Sequence, residues 1–359
     1  MLSNNQELNF SGENVYVGID VHKKSWKVTI QLDELVYKTF SQDPKVQILE
    51  SYLKKNFPNA SYQCAYEAGF SGFWLQQELE KVGINCIVVN PADIPTTDKE
   101  KKQKTDARDS RKIARSLRNG ELEGIYVPVV EELEDRQLVR TRSTLARDLS
   151  REKNRIKSIL NFYGIEYPEQ FRDTNKHWSK GFFNWLSQIE LKTNNGNNSL
   201  RTHITTSLYL REKILDLTRQ IRQLSKTEKY VKIAPLLCTI PGIGLITAMT
   251  ILTELHTIDR FKNLDKLCSY IGFIPNTHST GEKEKVGEMT NRGNKYLKNV
   301  LIESSWVAIR NDPALYIVYS KLCKVMESNK AIIRIAKKLT NRIRFVLLKN
   351  EPYVKGLVK

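Results

Sequence analysis

Two aspartates three residues apart, Asp106 and Asp109, stand in the run Lys104-Thr105-Asp106-Ala107-Arg108-Asp109, inside one of the most basic stretches of the sequence. From Lys99 to Arg118 nine residues are Lys or Arg, so paired carboxylates there exceed the background charge. On a helix, positions i and i+3 share a face, and the two aspartates can then address one point. Carboxylates at contact distance repel by roughly 1 to 4 kcal/mol, depending on the local dielectric, and a cation relieves that repulsion. The competing reading is a solvated helix face whose aspartates pair with Arg108, Lys112 or Arg115; beside a metal site the same three cations are read as nucleic-acid contacts. The hexapeptide alone does not choose between them.

The elements upstream bear on the choice. Val15-Tyr16-Val17-Gly18-Ile19-Asp20 reads as a buried strand ending on a carboxylate. Strands follow around Trp26–Gln31 and Leu35–Phe40, with spacers short enough for an antiparallel meander. Val46–Leu53 has helical spacing, and Ser61–Glu67 is a strand that again finishes on a carboxylate, next to Gly69. An amphipathic helix over Phe73–Val82, an apolar strand over Ile84–Val89 and a helix over Thr105–Arg118 complete the series. This order predicts a ribonuclease H-like α/β domain that presents Asp20, Glu67, Asp106 and Asp109 together. The matching chemistry is phosphodiester cleavage or transfer with two divalent ions about 4 Å apart. Oxygen donors without a His/Cys cluster favour Mg²⁺, with Mn²⁺ as an alternative, over Zn²⁺. His22, two residues past Asp20, points to the same side of an extended strand, although a lone histidine more often has a structural part.

The whole chain carries 57 Lys+Arg against 40 Asp+Glu, a formal net charge of +17 over 359 residues. Such an excess points to a polyanion, nucleic acid being the commonest. Five scattered cysteines without C-x-x-C spacing indicate neither a disulfide framework nor a zinc site and suit a reducing cytoplasm. The polar start and the lack of any 18-residue apolar window argue against export and membrane insertion.

Four segments are expected: a disordered tail over 1–14, the catalytic domain over 15–128, a helical hairpin or coiled-coil arm over 129–230 and a helical domain over 231–359. The arm rests on two stripes, Leu138, Leu145, Leu149, Ile156 and Leu160, then Leu210, Ile214, Leu217, Ile221 and Leu224. Between them Thr193–Ser199, rich in Asn and Gly, reads as an exposed loop. The arm is read as a dimerisation element or nucleic-acid clamp.

In the last segment, Ile240-Pro241-Gly242-Ile243-Gly244 is similar to the hairpin of a helix-hairpin-helix motif. Its glycine amides and the following helix N-terminus could hold a DNA phosphate, or the glycines could serve only a tight turn. Tyr270–Lys283 is a hydroxyl-rich stretch in which Ser279 follows His278, with Lys283, Lys285 and Arg292 nearby. That grouping admits a serine nucleophile with cations around the attacked phosphate, or an ordinary Ser/Thr turn. Basic residues Arg334, Lys338 and Arg342 mark one side of the last helix as a nucleic-acid face.

Taken in order, Val17-Gly18-Ile19-Asp20-Val21-His22, Tyr66-Glu67, Lys104–Asp109, Ile240–Gly244 and Pro275-Asn276-Thr277-His278-Ser279-Thr280-Gly281 resemble the insertion-sequence-110 family of transposases, from about Val15 to about Leu348. The resemblance implies a RuvC-like domain with an Asp-Glu-Asp-Asp cluster at Asp20, Glu67, Asp106 and Asp109, and a transposase domain with a nucleophile at Ser279. It further implies a bacterial, nucleoid-associated recombinase that joins donor and target DNA under a structured bridge RNA. The serine would form a covalent link to DNA, with Mg²⁺ at the acidic cluster, in a tetramer of paired dimers. Two features depart from the family pattern. The Asn-rich stretch looks like a local elaboration of the arm, and Thr280 stands where a second serine is frequent. Two other readings remain: a metal-dependent junction nuclease cutting by water attack, and a non-catalytic nucleic-acid binder on the same scaffold.

Overall fold

The computed structural model describes residues 8–96, 105–280, 283–290 and 292–355, and for 276–280 and 283–288 the backbone only. The chain divides into two compact units, Met1–Val127 and Pro128–Lys359.

The first unit is built on a five-stranded sheet of order β3-β2-β1-β4-β5. Its strands are β1 (Asn14–Val21), β2 (Trp26–Leu32), β3 (Leu35–Gln42), β4 (Ser61–Glu67) and β5 (Asn85–Val89). β1 pairs antiparallel with β2 and parallel with β4, and β4 continues parallel to β5. Period-2 alternation sends Val15, Val17, Ile19, Val28, Ile30, Cys64 and Tyr66 into one core. There they meet Leu49 and Leu53 of α1 (Val46–Asn56) and Leu75 and Leu79 of α2 (Trp74–Lys81). The opposite face, with Gly18, Thr29 and Ala65, takes α3 (Asp106–Arg118). Helix α3 is strongly amphipathic, burying Ser110, Ile113, Ala114 and Ser116. The expected tail reached residue 14, but Phe10 is docked: its amide donates to the Pro58 carbonyl at 2.9 Å and its ring meets Phe57 edge-on.

In the second unit α4 (Val130–Phe162) and α6 (Asn194–Leu224) run side by side. They are antiparallel: Arg142 bonds Thr218 at 2.8 Å, and ten residues further along α4 Glu152 accepts from His203 at 2.8 Å. From the two leucine stripes, Ile156, Leu160 and Ile221 are fully buried and the others are half-buried. The stretch expected as an Asn/Gly loop is instead the first turn of α6. The Thr193 side chain caps that turn by accepting from the Gly196 amide, and Asn197 bonds both the amide and the carbonyl of Leu191. Asparagine composition suggested a loop, but one cap and one side-chain clamp suffice to start the helix there. A satellite core of Phe171, Phe182, Phe183 and Leu186 closes over the hairpin, the last three on α5 (Lys180–Ser187).

The remaining helices are α7 (Ile233–Cys238), α8 (Leu245–Leu255), α9 (Leu264–Ile271), α10 (Lys295–Asn311), α11 (Pro313–Cys323) and α12 (Ser328–Lys349). They surround a second large core including Leu237, Met249, Leu267, Leu301, Ile335 and Leu339. Between α9 and α10 lies an antiparallel hairpin of β6 (Pro275–Thr280) and β7 (Lys283–Met289). Among the described residues, no helix is long and apolar enough to cross a membrane.

Candidate active site

The site begins with a glycine. A Cβ at Gly18 would stand 2.1 Å from the Ser110 carbonyl oxygen and 2.5 Å from the Ala114 amide, both backbone atoms of α3. Only glycine lets the helix lie directly on β1 there. Ser110 Oγ and Thr29 Oγ1, both buried, hydrogen-bond at 2.9 Å and pin the same helix to β2. The first turn of α3, carrying Asp106 and Asp109, is thereby held beside the end of β1, where Asp20 stands two residues beyond Gly18 on the same face. A helix N-terminus also favours carboxylates through its exposed amides.

His22 joins the carboxylates. Its Nε2 lies 3.2 Å from Asp20 Oδ2 and 3.5 Å from Asp106 Oδ2. Asp20, His22 and Asp106 can each present one ligand atom with all three within 4.8 Å of one another. Asp109 and Glu67 meet through Lys112, whose Nζ is 3.3 Å from Asp109 Oδ1 and 3.9 Å from a Glu67 carboxylate oxygen. Burial raises the Asp20 carboxyl above its ordinary range, and the Asp106 and Asp109 charges push the same way against the pull of His22. That electrostatic tension is what a cation would relieve. The donor set, hard carboxylate oxygens with one imidazole and no thiolate, fits Mg²⁺ or Mn²⁺.

Lys112 does pair with the carboxylates, as the salt-bridge reading expects, but not on a solvated face: its side chain is only 9% exposed, because position 112 falls on the buried face of α3. Arg108 and Arg115, one turn before and one turn after it, are exposed. Gly18 and His22 were the signals under-read: both share the period-2 face of Asp20.

In the second unit Gly242 has a left-handed φ of +86°, and a Cβ there would meet the Ser304 carbonyl oxygen at 2.2 Å. Its glycine therefore serves a tight turn against α10. Gly244 caps α8 and faces open space. Arg334 and Lys338 are exposed on α12, but Arg342 turns inward. Its Nη1 bonds the fully buried Asp312 Oδ2 at 2.8 Å, where the Tyr353 hydroxyl also donates at 2.9 Å. Arg342 is thus a fold-stabilising partner, corrected from a solvent-facing one. Ser279 pairs with Glu284, and His278 with Lys285, across the β6–β7 hairpin, with Thr280 opposite Lys283. Ser279 therefore lies on a strand rather than in an ordinary Ser/Thr turn. The side chains of His278, Ser279, Lys283 and Lys285 lie outside the described residues. Arg292 is exposed just before α10.

Two family profiles match the chain. One, of the IS110 DEDD transposase type, covers residues 17–165, and the other, described as the transposase IS116/IS110/IS902 family, covers 234–320. The four carboxylates fall in the first segment and Ser279 in the second. Among curated relatives, the transposase for insertion sequence element IS1533 of Leptospira borgpetersenii is 28% identical over 259 residues, 69% of this chain and 72% of the relative. The putative transposase y4qE of Sinorhizobium fredii is 28% identical over 285 residues, 79% of this chain and 66% of its own length. The transposase for IS1111A of Coxiella burnetii is 24% identical over 235 residues, 64% and 61% respectively. With both profiles matched in order and an acidic cluster assembled by β1, β4 and α3, the chain belongs to the IS110 family of transposases, enzymes that act on DNA.

Proposed function

We propose that this transposase joins donor and target DNA under the guidance of a structured bridge RNA, with Ser279 as nucleophile and with Asp20, Glu67, Asp106 and Asp109 holding Mg²⁺ or Mn²⁺. The observation that carries the metal half of this reading is the gathering of Asp20, His22 and Asp106 within ligand distance of one another, with Asp109 and Glu67 linked by Lys112. The sheet order, with β1, β4 and β5 parallel and β2 and β3 antiparallel, supports a ribonuclease H-like fold for the first unit. The long α4–α6 hairpin supports a coiled-coil arm on which a dimer, and from it a tetramer, could be built.

On this reading Ser279 Oγ attacks a backbone phosphorus, forming a serine–phosphate bond as the bond to one flanking sugar oxygen breaks, and the proton lost by the serine hydroxyl ends on that departing oxygen. The divalent ion, when bound, offsets the negative charge of the phosphodiester. The four carboxylates would hold that ion, His22 stands within 3.2 and 3.5 Å of Asp20 and Asp106, and exposed Arg108 and Arg115 on α3 are placed to meet neighbouring phosphates.

The test is to purify the full chain from cells carrying its element, sequence the bound RNA, and assay recombination with and without it. Recombination that needs the RNA, with a covalent protein–DNA adduct lost in Ser279→Ala, supports the reading. Cleavage that persists in Ser279→Ala without any adduct would instead assign a nuclease that cuts by water attack.

A further inference from the structure

The four carboxylates do not share one environment. Asp20 and Asp106 converge on an imidazole nitrogen, with Nε2 of His22 at 3.2 and 3.5 Å from their oxygens. Asp109 and Glu67 converge on an ammonium, with Nζ of Lys112 at 3.3 and 3.9 Å. The two partners differ chemically. A neutral imidazole has a lone pair and can ligate a metal, whereas an ammonium has none and can only replace one. They differ in freedom too. The His22 side chain is 47% exposed and can turn, while that of Lys112 is 9% exposed and rises from the buried face of α3.

We infer that, before nucleic acid binds, the chain holds one divalent ion rather than two: Asp20, His22 and Asp106 ligate it, and the Lys112 ammonium occupies the place a second cation would take between Glu67 and Asp109. This rests on reading the cluster as a metal site. It goes further in assigning a nitrogen ligand and in dividing the cluster between a metal and a lysine. Loss of Asp20 therefore empties the site, and loss of Lys112 opens a second one. An imidazole among carboxylate oxygens also ranks Mn²⁺ above Mg²⁺, which prefers all-oxygen shells that keep several waters.

Titration of the full-length chain with MnCl₂ alone, following free Mn²⁺ by its paramagnetic resonance signal, tests this. Wild type should bind one equivalent, and Mg²⁺ should compete poorly. His22→Ala should bind about tenfold or more weakly, and Lys112→Met should gain a second equivalent. Pulsed electron spin echo spectra of the Mn²⁺-loaded wild type should carry ¹⁴N modulation from an imidazole, absent in His22→Ala. That spectral readout holds even if Lys112→Met fails to fold. Two equivalents in the wild type, or Mn²⁺ bound without ¹⁴N modulation, would overturn the inference while leaving a metal site in place. If the wild type binds no Mn²⁺, or if Asp20→Asn binds it as the wild type does, the metal reading of the cluster falls as well.

Discussion

Gly18 and Ser110 are in backbone contact across the face of the sheet: a Cβ on the first would stand 2.1 Å from the carbonyl oxygen of the second. This contact sets the height of α3 above β1 and so the separation of Asp106 from Asp20. Gly18→Ala should therefore act on the site as well as on the fold. Overpacking of this kind costs about 1 to 3 kcal/mol, and here a helix backbone must yield. The expected outcome is a lowered melting temperature together with loss of Mn²⁺ affinity, read by thermal unfolding and metal titration. A variant as stable as wild type with intact metal binding would contradict the packing account.

Asp20→Asn should raise stability in metal-free buffer by roughly a few degrees. In the fold the Asp20 carboxyl is raised by burial and by Asp106 and Asp109. The folded chain therefore holds that proton more tightly than the unfolded chain does, and stability is lost as pH rises from the ordinary carboxylate value through the raised one. The advantage of the variant should be present at neutral pH and vanish in acid. Adding Mn²⁺ should stabilise wild type alone and close the gap. Differential scanning calorimetry across pH, with and without the ion, measures both effects.

How much of this was legible in the sequence follows from which contacts are local. Strand and helix order in the first unit came from apolar periodicity, and the i, i+3 spacing of Asp106 and Asp109 placed both in the first turn of α3. The pairing of Lys112 with Asp109 follows from the same i, i+3 spacing, but its burial was not legible, because a basic residue on a basic helix reads as solvated until its buried neighbours Ser110 and Ile113 are known. Likewise Arg342 looked like its neighbours Arg334 and Lys338, and only Asp312, thirty residues away, distinguishes it. The Asn-rich start of α6 failed by composition: asparagine marks loops and helix caps alike, and the cap at Thr193 decides.

His256 supplies a pH dependence outside the acidic site. Its side chain is only 3% exposed, on backbone with a positive φ of +58°. Burial drives the imidazole down to about 4, with Glu132 pulling the other way. The unfolded chain then binds the extra proton first, so stability is full above the ordinary histidine value near 6.5 and is lost as pH falls toward about 4. The loss should amount to about 1 to 3 kcal/mol. His256→Asn, which keeps a polar side chain but cannot take up the proton, should flatten the acid limb of a denaturant-midpoint-against-pH curve. An unchanged limb would assign the acid sensitivity elsewhere.

On α12 three basic residues should separate into two behaviours. Arg342→Ala leaves Asp312 buried with the Tyr353 hydroxyl but no cation and should cost about 3 kcal/mol. The pair Arg334→Ser and Lys338→Ser, both exposed, should leave stability within about 0.5 kcal/mol. That pair should instead weaken nucleic-acid binding and lower the salt slope of log K by about two. Equilibrium unfolding and salt-dependent binding titrations distinguish them. A salt slope unmoved by the double substitution would remove this face from the nucleic-acid surface.

If Asp20 and Asp106, brought together by the close packing of α3 on Gly18, form the proposed metal centre, strand cleavage needs both of them and the ion. The decisive assay is strand cleavage of the element's own ends by the full chain, with any RNA that copurifies, in Mg²⁺, in Mn²⁺ and in chelator, with Asp20→Asn and Asp106→Asn alongside. Cleavage is expected with either ion, with none in chelator and a loss of at least about a thousandfold in both variants. Cleavage that persists in chelator, or in Asp20→Asn at the wild-type rate, would contradict it.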